Sequence, residues 1–115
     1  MEPSGHALSQ LRRGVLEYCV MAALRDGERY GYELVAQLAS ADGLLTSEGT
    51  IYPLLGRLRN DGSVATTWRE SASGPPRRYY SLTAGGHAAL ERFTGEWARF
   101  RDAVDAVLDT KGERS

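Results

Sequence analysis

Residues 46–61 read Thr-Ser-Glu-Gly-Thr-Ile-Tyr-Pro-Leu-Leu-Gly-Arg-Leu-Arg-Asn-Asp, and the apolar members Ile51, Leu54, Leu55 and Leu58 recur at helical spacing. One face of a helix here can therefore be buried. Ser47, Thr50, Tyr52, Arg57 and Arg59 fall mostly off that stripe, so the other face offers hydroxyls, a phenol and guanidinium groups. These are the side chains that reach phosphates and base edges from a helix lying in a DNA major groove. Pro53 restricts the register, because proline lacks a backbone donor and clashes with the preceding turn. The helix starts either near Ser47, with a distortion at Pro53, or at Tyr52, with Pro53 in the favoured first position. The earlier start is preferred, since Ile51 then shares a face with Leu54, Leu55 and Leu58; Thr46 or Ser47 caps it and Gly62 ends it.

The segments around this stretch read as a platform, a wing and a strut. Leu8 to Arg25 forms a long helix, with Ser9 as N-cap and Gly27 as stop. Its apolar residues make two stripes, Leu11, Val15, Tyr18, Cys19 and Ala22 on one and Leu16, Val20, Ala23 and Leu24 on the other. A helix apolar on two sides needs partners on both, one from its own domain and one from a second subunit. After the turn at 26–29, Tyr30 to Ala41 forms a second helix with Leu34, Val35 and Leu38 inward; Asp42-Gly43 marks a turn, and Leu44-Leu45 is an anchor or a short strand. Ser63–Glu70 and Arg77–Leu82 are rich in β-branched and aromatic residues, and are predicted to pair as a hairpin whose tip is the small-residue loop Ser71 to Pro76. Thr83 caps a last helix in which Leu90, Phe93, Trp97, Phe100, Val104 and Val107 repeat at heptad spacing between charged flanks. That helix is too short to stand as a coiled coil by itself and is expected to pack on the first helix of a partner.

With 115 residues the chain suits one domain. We divide it into a flexible tail at 1–7, a winged-helix domain at 8–83 whose first helix also joins a dimer interface, a dimerisation helix at 84–110 and a second flexible tail at 111–115. No apolar run is long enough to span a membrane, and the first residues show no basic-then-apolar leader, so a cytoplasmic location without membrane contact is expected. Cys19 is the one cysteine and cannot close an internal disulfide; with His6 and His87 it makes no zinc-ligand spacing, so no metal and no cofactor are expected. No nucleophile, base and acid constellation or phosphate-cradling glycine loop is present, which argues against an enzyme. The net charge of −1 hides an uneven distribution. Residues 47–86 carry five arginines against three acids, whereas the segments on either side are net negative. The positive third contains the helix with the hydroxyl and guanidinium face.

Three helices, a two-stranded wing and a helix make a mainly α fold with a small β-hairpin, a winged helix-turn-helix plus a C-terminal dimerisation helix. The residues also resemble a family. Tyr30-Gly31-Tyr32-Glu33-Leu34, Gly49-Thr50-Ile51-Tyr52-Pro53-Leu54-Leu55 with Leu58, and Arg77-Arg78-Tyr79-Tyr80-Ser81-Leu82-Thr83 with Gly86 look like the PadR family of transcriptional regulators, over roughly residues 8–108. The single C-terminal helix is similar to the short PadR subfamily. The resemblance implies a homodimer that binds a double-stranded, partly palindromic operator, often as a repressor and often released by a small molecule.

Candidate site residues follow, each with a plainer alternative. For DNA binding they are Gly31, Tyr32, Ser47, Thr50, Tyr52, Arg57, Arg77 and Arg78. Ser47 is either a helix cap or a phosphate contact. Tyr52 is either a space-filling residue beside Pro53 or, as the resemblance implies, close to the DNA backbone. Arg57 either reads DNA or pairs with an acid. Arg77 and Arg78 stand where the family has basic residues that touch phosphate or minor groove; the alternative is a pair of exposed strand arginines. Gly31 either offers a backbone N–H to phosphate or serves a turn, and Tyr32 either packs or contacts phosphate. Tyr79 and Tyr80, adjacent in a strand, must point to opposite faces. Trp97 is either interface core or, as in short PadR proteins, a stacking surface for a planar effector, with Val15, Phe93 and Phe100 around it. The dimer interface is expected to contain Leu11, Cys19, Leu90, Trp97, Val104 and Val107. Two rival readings are a winged-helix protein-interaction module and a protein that sequesters small molecules at Trp97.

Overall fold

The computed structural model describes residues 6–40 and 48–109. In order these form α1 (His6–Ala23), β1 (Arg29–Tyr30), α2 (Gly31–Ala39), a 3-10 turn (Glu48–Thr50), α3 (Ile51–Asn60), β2 (Val64–Ser71), β3 (Gly74–Leu82) and α4 (Ala84–Leu108). The strands form one antiparallel sheet in the order β1-β3-β2.

The four helices and the two long strands contribute to one core. Leu16, Val20 and Met21 of α1, with Leu24 in the turn just after it, meet Leu34, Val35 and Leu38 of α2, Ile51, Leu55 and Leu58 of α3, Val64 of β2, Tyr80 of β3 and Leu90 of α4. The two stripes of α1 are thus separated. The one containing Leu16 and Val20 is buried, whereas Tyr18, Cys19 and Ala22 on the other are only partly covered and Leu11 is 54% exposed. The expected cap at Ser9 is corrected, since α1 begins at His6 and Ser9 lies within the helix. At the other end Arg29 Nε donates to the Ala23 carbonyl oxygen at 2.9 Å, satisfying an end-of-helix acceptor.

Three further expectations are corrected. Helix α3 starts in neither of the two registers: a 3-10 turn at Glu48–Thr50 leads into an α-helix at Ile51, which puts Pro53 in the first α-helical turn, where backbone N–H groups need no partner within the helix. The expected caps Thr46 and Ser47, with Asp42-Gly43 and Leu44-Leu45, lie outside the described residues. The stop at Gly62 has a definite geometry. Gly62 takes φ +82°, its N–H donates to Arg59 O at 3.1 Å, and Ser63 N–H donates to Leu58 O at 3.0 Å, which together close the helix end. The hairpin tip is shorter than predicted: β3 already begins at Gly74 and includes Pro75 and Pro76, next to an irregular register between Arg69 and Ser71. Proline is tolerated there because β1 reaches only Tyr79 and Tyr80, which leaves one edge of β3 unpaired at 75 and 76, and because the register against β2 on the other edge is irregular at this point. Finally, the strand β1 was not expected from the sequence, since two residues carry no period.

The N-terminus of α4 is joined to the end of α3. Thr83 Oγ1 accepts from Gly86 N–H at 3.0 Å and donates to Gly62 O at 2.7 Å, while Thr83 N–H donates to Ser63 O at 3.1 Å. The strut is therefore fixed to the backbone that terminates α3.

Candidate nucleic-acid interface

The segment Tyr30-Gly31-Tyr32 is where α3 and the wing converge. Tyr30 ends β1 and precedes α2, and its N–H donates to Glu33 Oε1 at 3.0 Å. Gly31 is buried beneath the ring of Tyr52, which extends from α3 and remains 50% exposed. Tyr32, 65% exposed, has its ring 6.3 Å from that of Tyr30. From the wing, Arg77 sets its guanidinium carbon 4.4 Å from the centre of the Tyr30 ring. Tyr52, Tyr32 and Arg77, from three separate elements, thus border one short stretch of chain.

On α3, Leu55 and Leu58 point inward while Tyr52, Arg57, Arg59 and Asn60 are exposed. Thr50, at the 3-10 turn, is exposed as well. Arg57 forms an ion pair with Glu17 of α1 and, with Leu16, Thr50, Pro53 and Leu54, lines a groove of about 490 Å³ between the two helices. The plainer alternative for Arg57 is therefore realised in the isolated chain, with its side chain still at the surface. Ser47 lies outside the described residues. Asn60 was not singled out from the sequence, although it stands one residue beyond Arg59 on the exposed side and asparagine can pair with adenine.

The wing divides its arginines between two faces. Arg77 and Tyr79 share a face with Tyr30 and Arg69; Arg69 lies over the Tyr79 ring at 5.5 Å and pairs with Glu28. Arg78 shares the other face with buried Tyr80, and its guanidinium carbon sits 4.8 Å above the ring of Trp68, directly opposite across the strands. Arg78 Nε is shielded from solvent, with no hydrogen-bond partner among the described residues. The tyrosine pair alternates as expected, with Tyr80 in the core and Tyr79 half-buried. Arg77 and Arg78 cannot serve as one doublet, because the pleat sends them apart.

Along α4 the aromatic residues form a ladder. Phe93 stacks on Tyr18 of α1 with centroids 4.0 Å apart and an interplanar angle of 2°; Trp97 follows at 5.9 Å from Phe93 and Phe100 at 6.1 Å from Trp97. Tyr18, which the sequence marked only as part of a stripe, therefore joins the expected effector residues Phe93, Trp97 and Phe100, while Val15 is half-buried on α1. Leu90 is corrected from interface to core, being 3% exposed within its own chain. The first part of α4 thus rests on α1 of the same chain. Further along, Phe100, Ala103, Val104, Val107 and Leu108 line an apolar groove of about 260 Å³ at the surface. Cys19 is half-buried, and burial pushes its thiol pKa up, which keeps it protonated and unreactive at neutral pH. Among the described residues no cluster of three or more His, Cys, Asp or Glu could hold a metal, and no helix is long and apolar enough to cross a membrane.

Comparison with known proteins gives the same architecture. The family model of the transcriptional regulator PadR-like family matches residues 20–92. A transcriptional regulator of Mycobacterium tuberculosis is 34% identical over 83 residues, covering 72% of this chain and 76% of that protein. The crystal structure of a PadR family transcriptional regulator from Eggerthella lenta DSM 2243 superposes with a TM-score of 0.79 at 36% identity, covering 91% of each chain. That of a PadR-like transcriptional regulator from Bacillus cereus ATCC 14579 gives 0.78 at 36% identity, covering 89% of this chain and 99% of the other. With its winged helix-turn-helix, its C-terminal strut and a family match over most of its length, the chain belongs to the PadR-like family of transcriptional regulators.

Proposed function

We propose that this chain is a sequence-specific DNA-binding repressor that acts as a homodimer on a partly palindromic operator and is released by a planar small molecule. The observation that carries the DNA-binding part is the convergence of Tyr52 from α3, Tyr32 from α2 and Arg77 from the wing around Gly31. Helix α3 would lie in the major groove with Thr50, Tyr52 and Arg57 toward the DNA, and Arg77 would meet the backbone alongside. Arg78, on the reverse face of the hairpin, would contact phosphate from the wing's far side. Ser47 and the Gly31 N–H remain candidate phosphate ligands under this reading, although Gly31 already has the Tyr52 ring over it.

The dimer reading rests on apolar surface that the single chain does not cover. Leu11 on α1 and Phe100, Val104 and Val107 on α4 lie toward solvent or only partly covered, as Cys19 and Trp97 do. A second copy, bringing the same surface, would bury them. The ladder Tyr18, Phe93, Trp97 and Phe100 would then flank the two-fold axis and offer flat faces to an aromatic effector. An effector wedged there would change the spacing of the two α3 helices, and affinity would fall as they cease to match the grooves.

Selection from a random duplex pool, followed by footprinting, tests this function directly. A single enriched motif with a two-fold repeat, bound less tightly as salt rises, is expected. Tyr52→Ala and Arg77→Ala should both weaken binding and leave self-association intact. Enrichment of nothing, or unchanged affinity in both variants, refutes the assignment.

A further inference from the structure

Three arginines near this surface are held in different ways. Arg57 and Arg69 are paired with carboxylates, Glu17 and Glu28, whereas no acid pairs with Arg77 among the described residues. Arg77 instead lies over the Tyr30 ring at 4.4 Å. The difference is chemical. A carboxylate uses a guanidinium's N–H donors and offsets its charge; an aromatic face restrains the group while leaving donors and charge available to another anion.

The ring beneath Arg77 is itself fixed. Tyr30 pairs with Tyr79 in the β1–β3 ladder, which brings Arg77, two residues before Tyr79, diagonally across from it on the same face. Its ring lies 5.5 Å from that of Tyr79 and 6.3 Å from that of Tyr32, and its backbone N–H is tied to Glu33. Tyr30 is half-buried and Arg77 exposed. We infer that Tyr30 is a positioning residue: its ring pre-orders the Arg77 guanidinium for a DNA phosphate, so that the wing meets the duplex with this side chain already in place. The role rests on the DNA-binding reading given above. It also gives the two-residue strand β1 a purpose beyond closing the sheet, since β1 supplies the ring.

The test is a double-mutant cycle on Tyr30 and Arg77, using the full chain and the duplex obtained by selection, with thermal melting recorded in parallel. Tyr30→Phe retains the ring and should bind within about twofold of the unaltered protein. Tyr30→Leu should lose about two- to fivefold per copy bound, the weight of one exposed cation–π contact. In an Arg77→Ala background the same Tyr30→Leu change should cost nothing further, which a general loss of fold would not reproduce. Side-chain protons of Arg77 in the unaltered, DNA-free protein should show ring-current shifts, a measurement that stands even where Tyr30→Leu fails to fold. Equal losses from Tyr30→Leu in both backgrounds, a Tyr30→Phe variant as weak as Tyr30→Leu, or random-coil shifts at Arg77 overturn the role of Tyr30 alone. An Arg77→Ala variant that binds as tightly as the unaltered chain overturns the placement of the wing on DNA, and this role with it.

Discussion

The ring of Tyr52 lies across Gly31 so closely that a Cβ added to Gly31 would come within 2.7 Å of Tyr52 Cε1. The glycine is therefore required by contact between α2 and α3 rather than by an unusual backbone angle. Through this contact the start of one helix sets where the tyrosine of the next projects.

Gly31→Ala should accordingly displace the Tyr52 ring. Overpacking of this kind costs about 1–3 kcal/mol, at the lower end here because the ring is half exposed and can swing outward. Operator affinity is expected to fall severalfold with dimerisation unchanged. Tyr52→Ala removes the clash together with the ring's own packing, so Gly31→Ala should cost less in a Tyr52→Ala background than in the unaltered chain. Melting curves of both single variants and the double variant decide it, and an equal cost in the two backgrounds would mean that the ring is not what the new methyl group meets.

The Arg57–Glu17 pair leads to a prediction of opposite sign. Both partners are partly in water, Arg57 56% exposed, so the pair adds no more than about 1 kcal/mol to folding. Its effect on DNA should be larger, because a carboxylate beside α3 both occupies Arg57 and repels phosphate. Glu17→Gln is expected to raise affinity severalfold and to steepen the salt dependence by about one counterion. In an Arg57→Ala background most of that gain should vanish. Titrations at several salt concentrations measure both, and a Glu17→Gln variant with unchanged affinity and slope would show that Arg57 stays away from the duplex.

Much of this was legible in the sequence, for identifiable reasons. The inward faces of α2 and α3 follow from the spacing of Leu34, Val35 and Leu38 and of Ile51, Leu55 and Leu58, where burial enforces the period. Thr83 as a cap was legible because a hydroxyl before a helix has a defined donor to satisfy. Other features depend on tertiary contacts that no local pattern encodes. Arg29 and Tyr30 are a strand only because Tyr79 and Tyr80 lie alongside. Leu90 falls in the heptad of α4, yet it is claimed by its own core because α1 passes beneath the start of that helix. Arg77 and Arg78 look like a doublet in one dimension, and the pleat separates them.

The joint between α3 and α4 should matter more for stability than its position at the surface implies. A Cβ on Gly86 would collide with the Ser63 carbonyl oxygen, so the first turn of α4 lies directly against the chain leaving α3. Thr83→Val removes the hydroxyl that serves Gly86 N–H and Gly62 O, and is expected to cost about 1–2 kcal/mol, with Thr83→Ser recovering most of it. Gly86→Ala should cost more, since backbone rather than a mobile side chain must yield. Denaturant melts rank the three variants; if Gly86→Ala proves milder than Thr83→Val, the two helices are not held by close backbone approach.

The far half of α4 supplies the last prediction. Val107 is 80% exposed and Leu108 68%, and with Phe100, Ala103 and Val104 they form an apolar groove on a helix whose start is already packed on α1. Under the dimer reading, a second copy covers this exposed apolar surface. Val104→Asp introduces a charge at its centre without touching the core of the winged helix, so the variant should keep its circular dichroism spectrum and most of its melting temperature per protomer while losing self-association. Its operator affinity should fall far more than that of a wing variant, because two linked α3 helices bind as one unit whereas separated ones each lose the other's effective concentration. Sedimentation velocity and duplex titration on the same sample test both statements. A variant that remains dimeric would place the interface elsewhere on α1, and one that becomes monomeric yet binds the full operator unchanged would remove the reason for reading α4 as the strut between recognition helices.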